Sequence, residues 1–497
     1  MAAITRRDFV RKSARVAAAA TVASQVEWLA ACGGTGKKAP TDKDWERLAK
    51  QLQGRLVRPG GAEYETLNRP SNMRYANIRP QGIAVCAGAE DVRHSILWAR
   101  DHDVEVVPRA GGHSYSGYST TTGLMVDFSD LRKVSVDRST GMVTVEPGAR
   151  NVDIYDGLQP YGVAFSAGRC PTVAVSGLTL GGGFGFSSRH IGLTSDALLE
   201  TEVVTAAGDI LTCNEKQNAD LFWACRGGGG RNFGINTAYR FRSWPVDNVS
   251  LYDFTWEWKQ ARQVIAALQE VVRDAPDEWS MRIGIGASGR PGSVTPSIEA
   301  LGQFFGPPSG LKSILDPVLT KLPPVKRLLA KRTFWQAKTY LYDTTPAGRY
   351  AVKSSYVTKE FPEDAIDVLV RSVERWPGSG NPGGGGIALF AWGGAVARVA
   401  PEATAFVHRH PGFLMAYDTA WAASDSRSVA DANLDWLSRL AADIRPYVSR
   451  QAYQNFIDST LRDWQQAYYA ENFDRLVRVK HRYDPDDVFQ FRQSIPT

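Results

Sequence analysis

Apolar and polar positions change places in short blocks along the first half of the chain. Residues 83–86, 104–107, 124–128, 134–136 and 142–145 are apolar runs bounded by turn-forming or polar residues, and each predicts a strand. Residues 42–52 and 91–102 predict helices, the second plainly amphipathic, whereas 58–80 reads as irregular. Residues 201–206 and 210–213 predict a hairpin turning on Ala207, Gly208 and Asp209. From about Trp244 the blocks lengthen. Strands are expected over 252–258, 281–285 and 297–304, and helices over 259–272, 429–442 and 462–477. The stretch 311–332 is basic and interrupted by Pro, the texture of a surface excursion, and GSGNPGGGG at 378–386 predicts a flexible loop. No internal repeat is found.

Composition narrows the classes. Apolar residues at 43% and charged residues at 22% sit near globular averages, which excludes disorder and collagen-like repetition. At 497 residues the chain should divide into more than one domain. The formal charge of +6 is too slight for a nucleic-acid binder of this length. The five cysteines, Cys32, Cys86, Cys170, Cys213 and Cys225, form no CxxC pair, so neither a zinc ribbon nor a thioredoxin-type site is expected, and no metal is predicted.

The 46 glycines matter through their placement, in clusters at 109–117, 177–185 and 227–234. Such runs permit positive φ and let a flat ligand or a phosphate approach bare backbone. GxxxxGK[ST], HExxH and GxSxG are absent, and the run at 181–185 is not GxGxxG at the head of a βαβ unit. P-loop, zincin, serine-hydrolase and simple Rossmann readings therefore lack support. What remains is His113 in one glycine frame and Cys170 ahead of another. Singly, each is more often a turn residue or a small buried hydrophobe.

The N-terminus reads as an address. TRRDFVRK at 5–12 followed by an Ala-rich stretch is the layout of a twin-arginine export signal, and LAAC at 29–32 resembles a lipobox ending at Cys32. The segment is too short and too charged to span a membrane, so membrane contact is expected only through a lipid on Cys32. Residues 1–31 carry half of the basic excess, and the twin-arginine route suits a protein that folds around a cofactor before export.

Several motifs in order carry a resemblance: RAGGHSY at 109–115, GRCPTV at 168–173, GLTLGGGFG at 177–185, GLTSD at 192–196 and DLFWACRGGGGRNFG at 220–234. YQNFID at 453–458, YYAENFDRL at 468–476 and KHRYDPDDVF at 480–489 complete the set. Together they resemble berberine-bridge-enzyme-like oxidases of the vanillyl-alcohol-oxidase type. The resemblance implies an α+β fold: a two-part FAD-binding domain of the p-cresol-methylhydroxylase (PCMH) type, plus a substrate domain whose antiparallel sheet is covered by helices. It implies a polar stretch over 32–70, the FAD domain over 71–243, the substrate domain over 244–445, and a segment over 446–497 that returns to the FAD domain.

By the same resemblance FAD is held bicovalently, His113 bonding the 8α-methyl and Cys170 ring carbon 6. Arg109, Gly111, Gly112, Ser114, Gly117, Gly177, Gly181, Gly182, Gly183, Asn232, Gly234, Tyr453 and Asn455 would surround the cofactor. Tyr453 matches the base of carbohydrate-oxidising members, although a free phenol, with a pKa of about 10, is a weak base at neutral pH. Tyr115 would stand at the substrate side. Two departures matter: Ala174 and Ser176–Gly177–Leu178 replace a family pattern with a His near flavin N1, and the inward position of the strand FLMAYD at 413–418 is expected to be Ala416, with Tyr417 and Asp418 beside it. The expected protein is a secreted oxidase of an alcohol carbon, of a saccharide or a phenolic or other secondary metabolite, with dioxygen as acceptor. A dehydrogenase passing electrons to a quinone-type acceptor and a non-catalytic flavin- or ligand-binding lipoprotein remain open alternatives. Its partners would be a small-molecule substrate, the electron acceptor and the twin-arginine export machinery. Its place would be the periplasm, the cell envelope or the exterior.

Overall fold

A computed structural model describes residues 39–497 of the chain, so the export signal and Cys32 lie outside the described residues. Three larger sheets organise those residues. The first has four strands in the order Arg55–Val57, Gly82–Val85, Leu124–Asp127 and Val106–Arg109. Its inner strands are parallel and wholly buried, and the helix Ala89–Asp101 makes the crossover from Gly82–Val85 to the edge strand Val106–Arg109. The second has five antiparallel strands, with Ile235–Phe241 between Val143–Val145 and Leu198–Val204. Its edge hairpin, Leu198–Val204 with Ile210–Asn214, turns on Gly208 at φ +85°.

The third sheet is antiparallel and has seven strands: Lys326–Thr333, Asn248–Trp256, Ser293–Phe304, Trp279–Arg290, Gly385–Trp392, Gly412–Trp421 and Arg349–Val357 in spatial order. Alternation along these strands separates two faces. Met281, Ile283 and Ile285, with Phe413, Met415 and Tyr417, join a core shared with the helices Ala261–Asp274, Glu363–Glu374 and Arg427–Ile444. Val264, Ile265, Leu268 and Val272 are the buried stripe of the first helix, each worth roughly 1.5–3 kcal/mol of apolar burial. The opposite face presents Leu414, Phe390 and Ala416 to Phe184, Tyr453 and Phe456. The α+β class is thus observed, with one sheet roofing the others.

Three expectations are corrected. The stretch 311–332 is no loose excursion. The helix Pro308–Lys321 buries Leu311, Leu315, Val318 and Leu319, and Lys326–Thr333 is the edge strand pairing Asn248–Trp256. Its charged residues mark an edge rather than a loop. The helix expected over 462–477 is two helices, Trp464–Tyr469 and Phe473–Tyr483, broken at Ala470 with φ +41°. Asn472 stabilises the break by donating to the carbonyls of Pro401 and Thr404 at 2.9 and 3.1 Å. Gly385 and Gly386 belong to a strand, and a Cβ on Gly385 would lie 2.4 Å from the Trp376 indole nitrogen.

The C-terminal segment is fixed by a buried ion pair. Lys480 Nζ meets Asp484 Oδ2 at 2.7 Å, both side chains being fully buried, and Asp484 also accepts from the Val488 and Phe489 N–H groups. Removing Asp484 leaves the buried Lys480 ammonium only the partly exposed Asp487 carboxylate, at 2.9 Å, and the Phe489 carbonyl. Asp484→Ala should therefore lower unfolding free energy by about 3–5 kcal/mol, measured by urea denaturation. A loss below about 1 kcal/mol, the scale of an exposed pair, would contradict this role.

Candidate functional site

A cleft of about 300 Å³ opens where the turn after Val106–Arg109, the loop over 168–178, the turn before Ile235–Phe241 and residues 453–457 converge. Of the residues singled out from the sequence, Gly111, Gly112, His113, Ser114, Tyr115, Cys170, Gly177, Asn232, Gly234, Tyr453 and Asn455 line it.

His113 and Cys170 come to the same end of the cleft. His113 Nε2 lies 3.0 Å from Thr172 Oγ1. Burial, reinforced by Arg150, pulls its pKa down to about 4, so the imidazole is neutral at pH 7 and keeps a lone pair. The Cys170 thiol lies 3.7 Å from Asp343 Oδ2. Burial pushes its pKa up to about 11, with Arg169 and Lys338 opposing and Asp343 reinforcing. Asp343 is itself clasped by Arg169 at 3.0 Å. Asn151 donates to the Cys170 carbonyl at 2.8 Å, which fixes the loop that presents the thiol.

Tyr453 is 2% exposed. Its hydroxyl oxygen accepts from the Gly183 N–H at 3.0 Å and from Asn455 Nδ2 at 3.0 Å. Both donors favour the phenolate, yet burial dominates and raises the phenol above its ordinary value. Asn455 Nδ2 also donates to the Leu178 carbonyl at 2.9 Å, and Gln454 Nε2 to the Gly227 carbonyl at 2.6 Å. The three consecutive residues therefore grip two of the glycine clusters at once. Tyr115 stands across the cleft, its ring edge-on to Tyr350 at 5.5 Å and Phe456 at 5.4 Å. Burial raises its phenol well above the usual range.

The roof contributes charge. On the strand Gly412–Trp421, Ala416 does face the site, and by the two-residue period Asp418 faces it too, while Tyr417 turns to the helix-covered core and meets Ser355. Asp418 opens onto solvent and has no hydrogen-bond partner among the described residues. Surrounding protein nevertheless pushes its pKa up to about 6, against the pull of Arg282 and Arg169. Arg282 pairs with Glu299 through Nη1 at 2.6 Å and leaves Nε without a partner. Arg169 lies over the Phe390 ring at 5.4 Å. Sequence reasoning did not single out Arg169, Asp343, Lys338 or Arg282. Arg169 and Asp343 lie on loops, Lys338 on the helix Phe334–Tyr340 and Arg282 on a strand, and contacts between such distant segments leave no local signal.

Other singled-out residues stand behind the cleft. Arg109 donates to the carbonyls of Ser119, Leu67 and Asn68 and ties three segments together. Gly117 packs on Tyr75, where a Cβ would lie 2.4 Å from the ring. Gly181, Gly182 and Gly183 meet Asn455, Phe406 and Thr194 so closely that none admits a Cβ. The Asn232 side chain links the Gly228 carbonyl to the Ile495 N–H, both at 2.9 Å.

The cleft fits a dinucleotide. Tyr118 Oη, Ser119 Oγ and Arg231 Nε are buried, unpartnered polar atoms of cleft-lining residues. Such orphans are costly unless a ligand meets them. At Gly177, also on the cleft wall, a Cβ would meet no protein atom within 4 Å, so the bare backbone borders ligand space. Among the described residues there is no acidic, His or Cys cluster able to hold a metal.

Comparison with known proteins agrees. Residues 80–214 match the FAD binding domain family and 452–496 the berberine and berberine-like family. The chain is 33% identical to the uncharacterized FAD-linked oxidoreductase YgaK of Bacillus subtilis, over 90% of this chain and 97% of the relative. It is 28% identical to the reticuline oxidase of Eschscholzia californica, over 84% of this chain and 83% of the relative. The xylooligosaccharide oxidase of Myceliophthora thermophila in complex with xylobiose superposes with a TM-score of 0.78 at 27% identity, covering 92% of this chain and 98% of that one. The fold is that of a PCMH-type FAD-linked oxidoreductase. The chain belongs to the berberine-bridge-enzyme-like family within that class.

Gly181 tests the grip on the glycine run, since a Cβ there would lie 2.1 Å from Asn455 Oδ1. Gly181→Ala should displace Asn455, cost about 1–3 kcal/mol in thermal or urea unfolding and lower the flavin-to-protein absorbance ratio. Unchanged stability and flavin content would count against the grip.

Proposed function

We propose that this chain is an exported oxidase that holds FAD bicovalently through His113 and Cys170 and oxidises an alcohol carbon of a polar small molecule, with dioxygen as acceptor and hydrogen peroxide as product. In this reading residues 71–243 and 446–497 hold FAD, 244–445 roof it, and 1–31 address the chain for export, with Cys32 as a lipid site. The observation that carries the reading is the Tyr453 hydroxyl, held in the cleft by the Gly183 and Asn455 donors.

FAD, when bound, supplies a hydride acceptor at its ring nitrogen 5. The chain supplies the proton chemistry. With two donors on its oxygen, Tyr453 has its own hydrogen without an acceptor among the described residues, and that hydrogen is available to a substrate oxygen. The same donors stabilise the phenolate once burial has been overcome, which suits Tyr453 to take the hydroxyl proton as the carbon is oxidised. Asp418 offers a second proton acceptor, charged above about pH 6 and protonated below it. Arg282, Arg169, Glu299 and Asp418 line the roof with hydrogen-bonding groups, which favours a polyhydroxylated substrate over an apolar one and supports the saccharide end of the range. Xylobiose bound to the related oxidase supports the same choice.

The covalent part predicts that acid-precipitated protein keeps its yellow chromophore. The chromophore should be lost from the pellet only when both His113→Ala and Cys170→Ala are made, and release from the wild type would overturn the reading. Tyr453→Phe should lower kcat/KM by about 10²–10⁴ with substrate-reduced flavin as readout. The rate should fall as pH drops through about 6, where Asp418 takes up its proton, and Asp418→Asn should flatten that limb. A limb that persists in Asp418→Asn removes Asp418 from the proton path. A flavin that is reduced by substrate yet stays reduced in air would replace dioxygen with another acceptor.

A further inference from the structure

Lys338 is a buried cation with no carboxylate to pair it. It sits on the helix Phe334–Tyr340 and is 7% exposed. Its Nζ donates to the Gly168 carbonyl at 2.7 Å and lies over the Tyr155 ring at 4.0 Å and the Tyr342 ring at 5.2 Å. No ion pair of Lys338 is found among the described residues. A carbonyl and two ring faces are weak compensation for desolvating an ammonium. Burial accordingly brings the amine down to about 7, with Arg169 pushing the same way and Cys170 opposing. At neutral pH the side chain can then both hold and release a proton, which an exposed lysine does not do.

Its location gives that property a use. The carbonyl it binds is two residues before Cys170, on the loop that Asn151 locks by donating to the Cys170 carbonyl and accepting from the Gly168 N–H at 3.3 Å. Lys338 makes no hydrogen bond to the Cys170 thiol, but its charge, held on the same loop, lowers the thiol's proton affinity. The other charged and titratable groups around the thiol are Arg169, Asp343, Tyr115 and Tyr350. Arg169 is engaged with Asp343 at 3.0 Å. Asp343 lies nearest the sulfur; burial raises its carboxyl, but Arg169, the Thr345 hydroxyl and N–H, and Arg282 together hold it below the ordinary carboxylate value. It is therefore a poor proton acceptor, and its negative charge opposes the thiolate.

We propose that Lys338, bound to the loop two residues before Cys170, takes up the Cys170 proton through a bridging water and stabilises the thiolate while the sulfur bonds to the flavin ring, making it a positioning residue for cofactor attachment rather than for substrate oxidation. The proposal rests on Cys170 being a tether. The Sγ–H proton passes through the water to the Lys338 amine, and the sulfur electron pair forms the bond to ring carbon 6. The hydrogen displaced from that carbon leaves as a proton. The two electrons left on the ring go, with two protons, to dioxygen, which departs as hydrogen peroxide. Thiolate formation is the step the buried site resists, and it is the step Lys338 eases.

The test uses the His113→Ala background, in which Cys170 is the only tether, and reads the intact mass of the denatured chain. His113→Ala alone should carry the FAD adduct after purification and incubation with FAD in air. Adding Lys338→Met should lower the adduct fraction at neutral pH by about tenfold or more, in the lower range for loss of a proton-transfer group. Incubation near pH 9 should restore it, because hydroxide then makes the thiolate unaided. A purely structural role would not produce that alkaline rescue. Adduct formation in Lys338→Met equal to the background at neutral pH overturns the proposal, as does a deficit that alkaline incubation leaves unchanged. Absence of adduct on the His113→Ala chain itself, with wild type still retaining its flavin, removes the Cys170 tether and this proposal with it. Release of flavin from the wild type as well removes the bicovalent reading altogether.

Discussion

The site depends on a clasp between the last part of the chain and the glycine runs of the first. Tyr453, Gln454 and Asn455 place hydrogen bonds on Gly183, Gly227 and Leu178. Because Gly181, Gly182 and Gly183 carry no side chain, residues 453–455 and Phe406 can press against the backbone. Asn232 joins the third glycine run to Ile495 in the same way. Without these contacts the cleft would have a floor and no wall. Their strength comes from satisfying buried backbone groups that would otherwise be left without partners.

The clasp also sets the electrostatics. It encloses the Tyr453 hydroxyl, so burial governs its proton affinity even though both bonded donors favour the anion. The same enclosure keeps His113 neutral and Cys170 protonated. At the roof Asp418 is open to solvent and remains within reach of its two charge states near neutrality. His113 and Cys170, both half-buried, thus line a cleft whose roof bears charge.

Much of this was legible in the chain because glycine runs and strand alternation are local signals. The hairpin on Gly208 and the helix Ala261–Asp274 follow from spacing alone, and the inward position of Ala416 from the resemblance. His113 and Cys170 could be singled out because each lies in a glycine frame. What spacing could not supply was pairing between remote segments. Lys338 reads as an ordinary helix surface residue until the Gly168 loop is folded over it, and Asp343 as a turn residue until Arg169 reaches it. The edge strand Lys326–Thr333 was hidden by its charges, which suit an edge and resemble a loop. Ala470 ended a helix against its own periodicity because tertiary bonds from Asn472 outweighed local preference.

The clasp joins Tyr453 to a glycine run 270 residues earlier, so the cleft closes only after every intervening strand has been made. A ribosome has released, or nearly released, every earlier strand before Tyr453 and Ile495 can reach the glycine runs. An unfinished chain therefore has its glycine loops and nothing to press against them. Synthesis as far as Ile495 becomes a physical precondition for a closed cleft, so a chain cut short before the clasp lacks the wall.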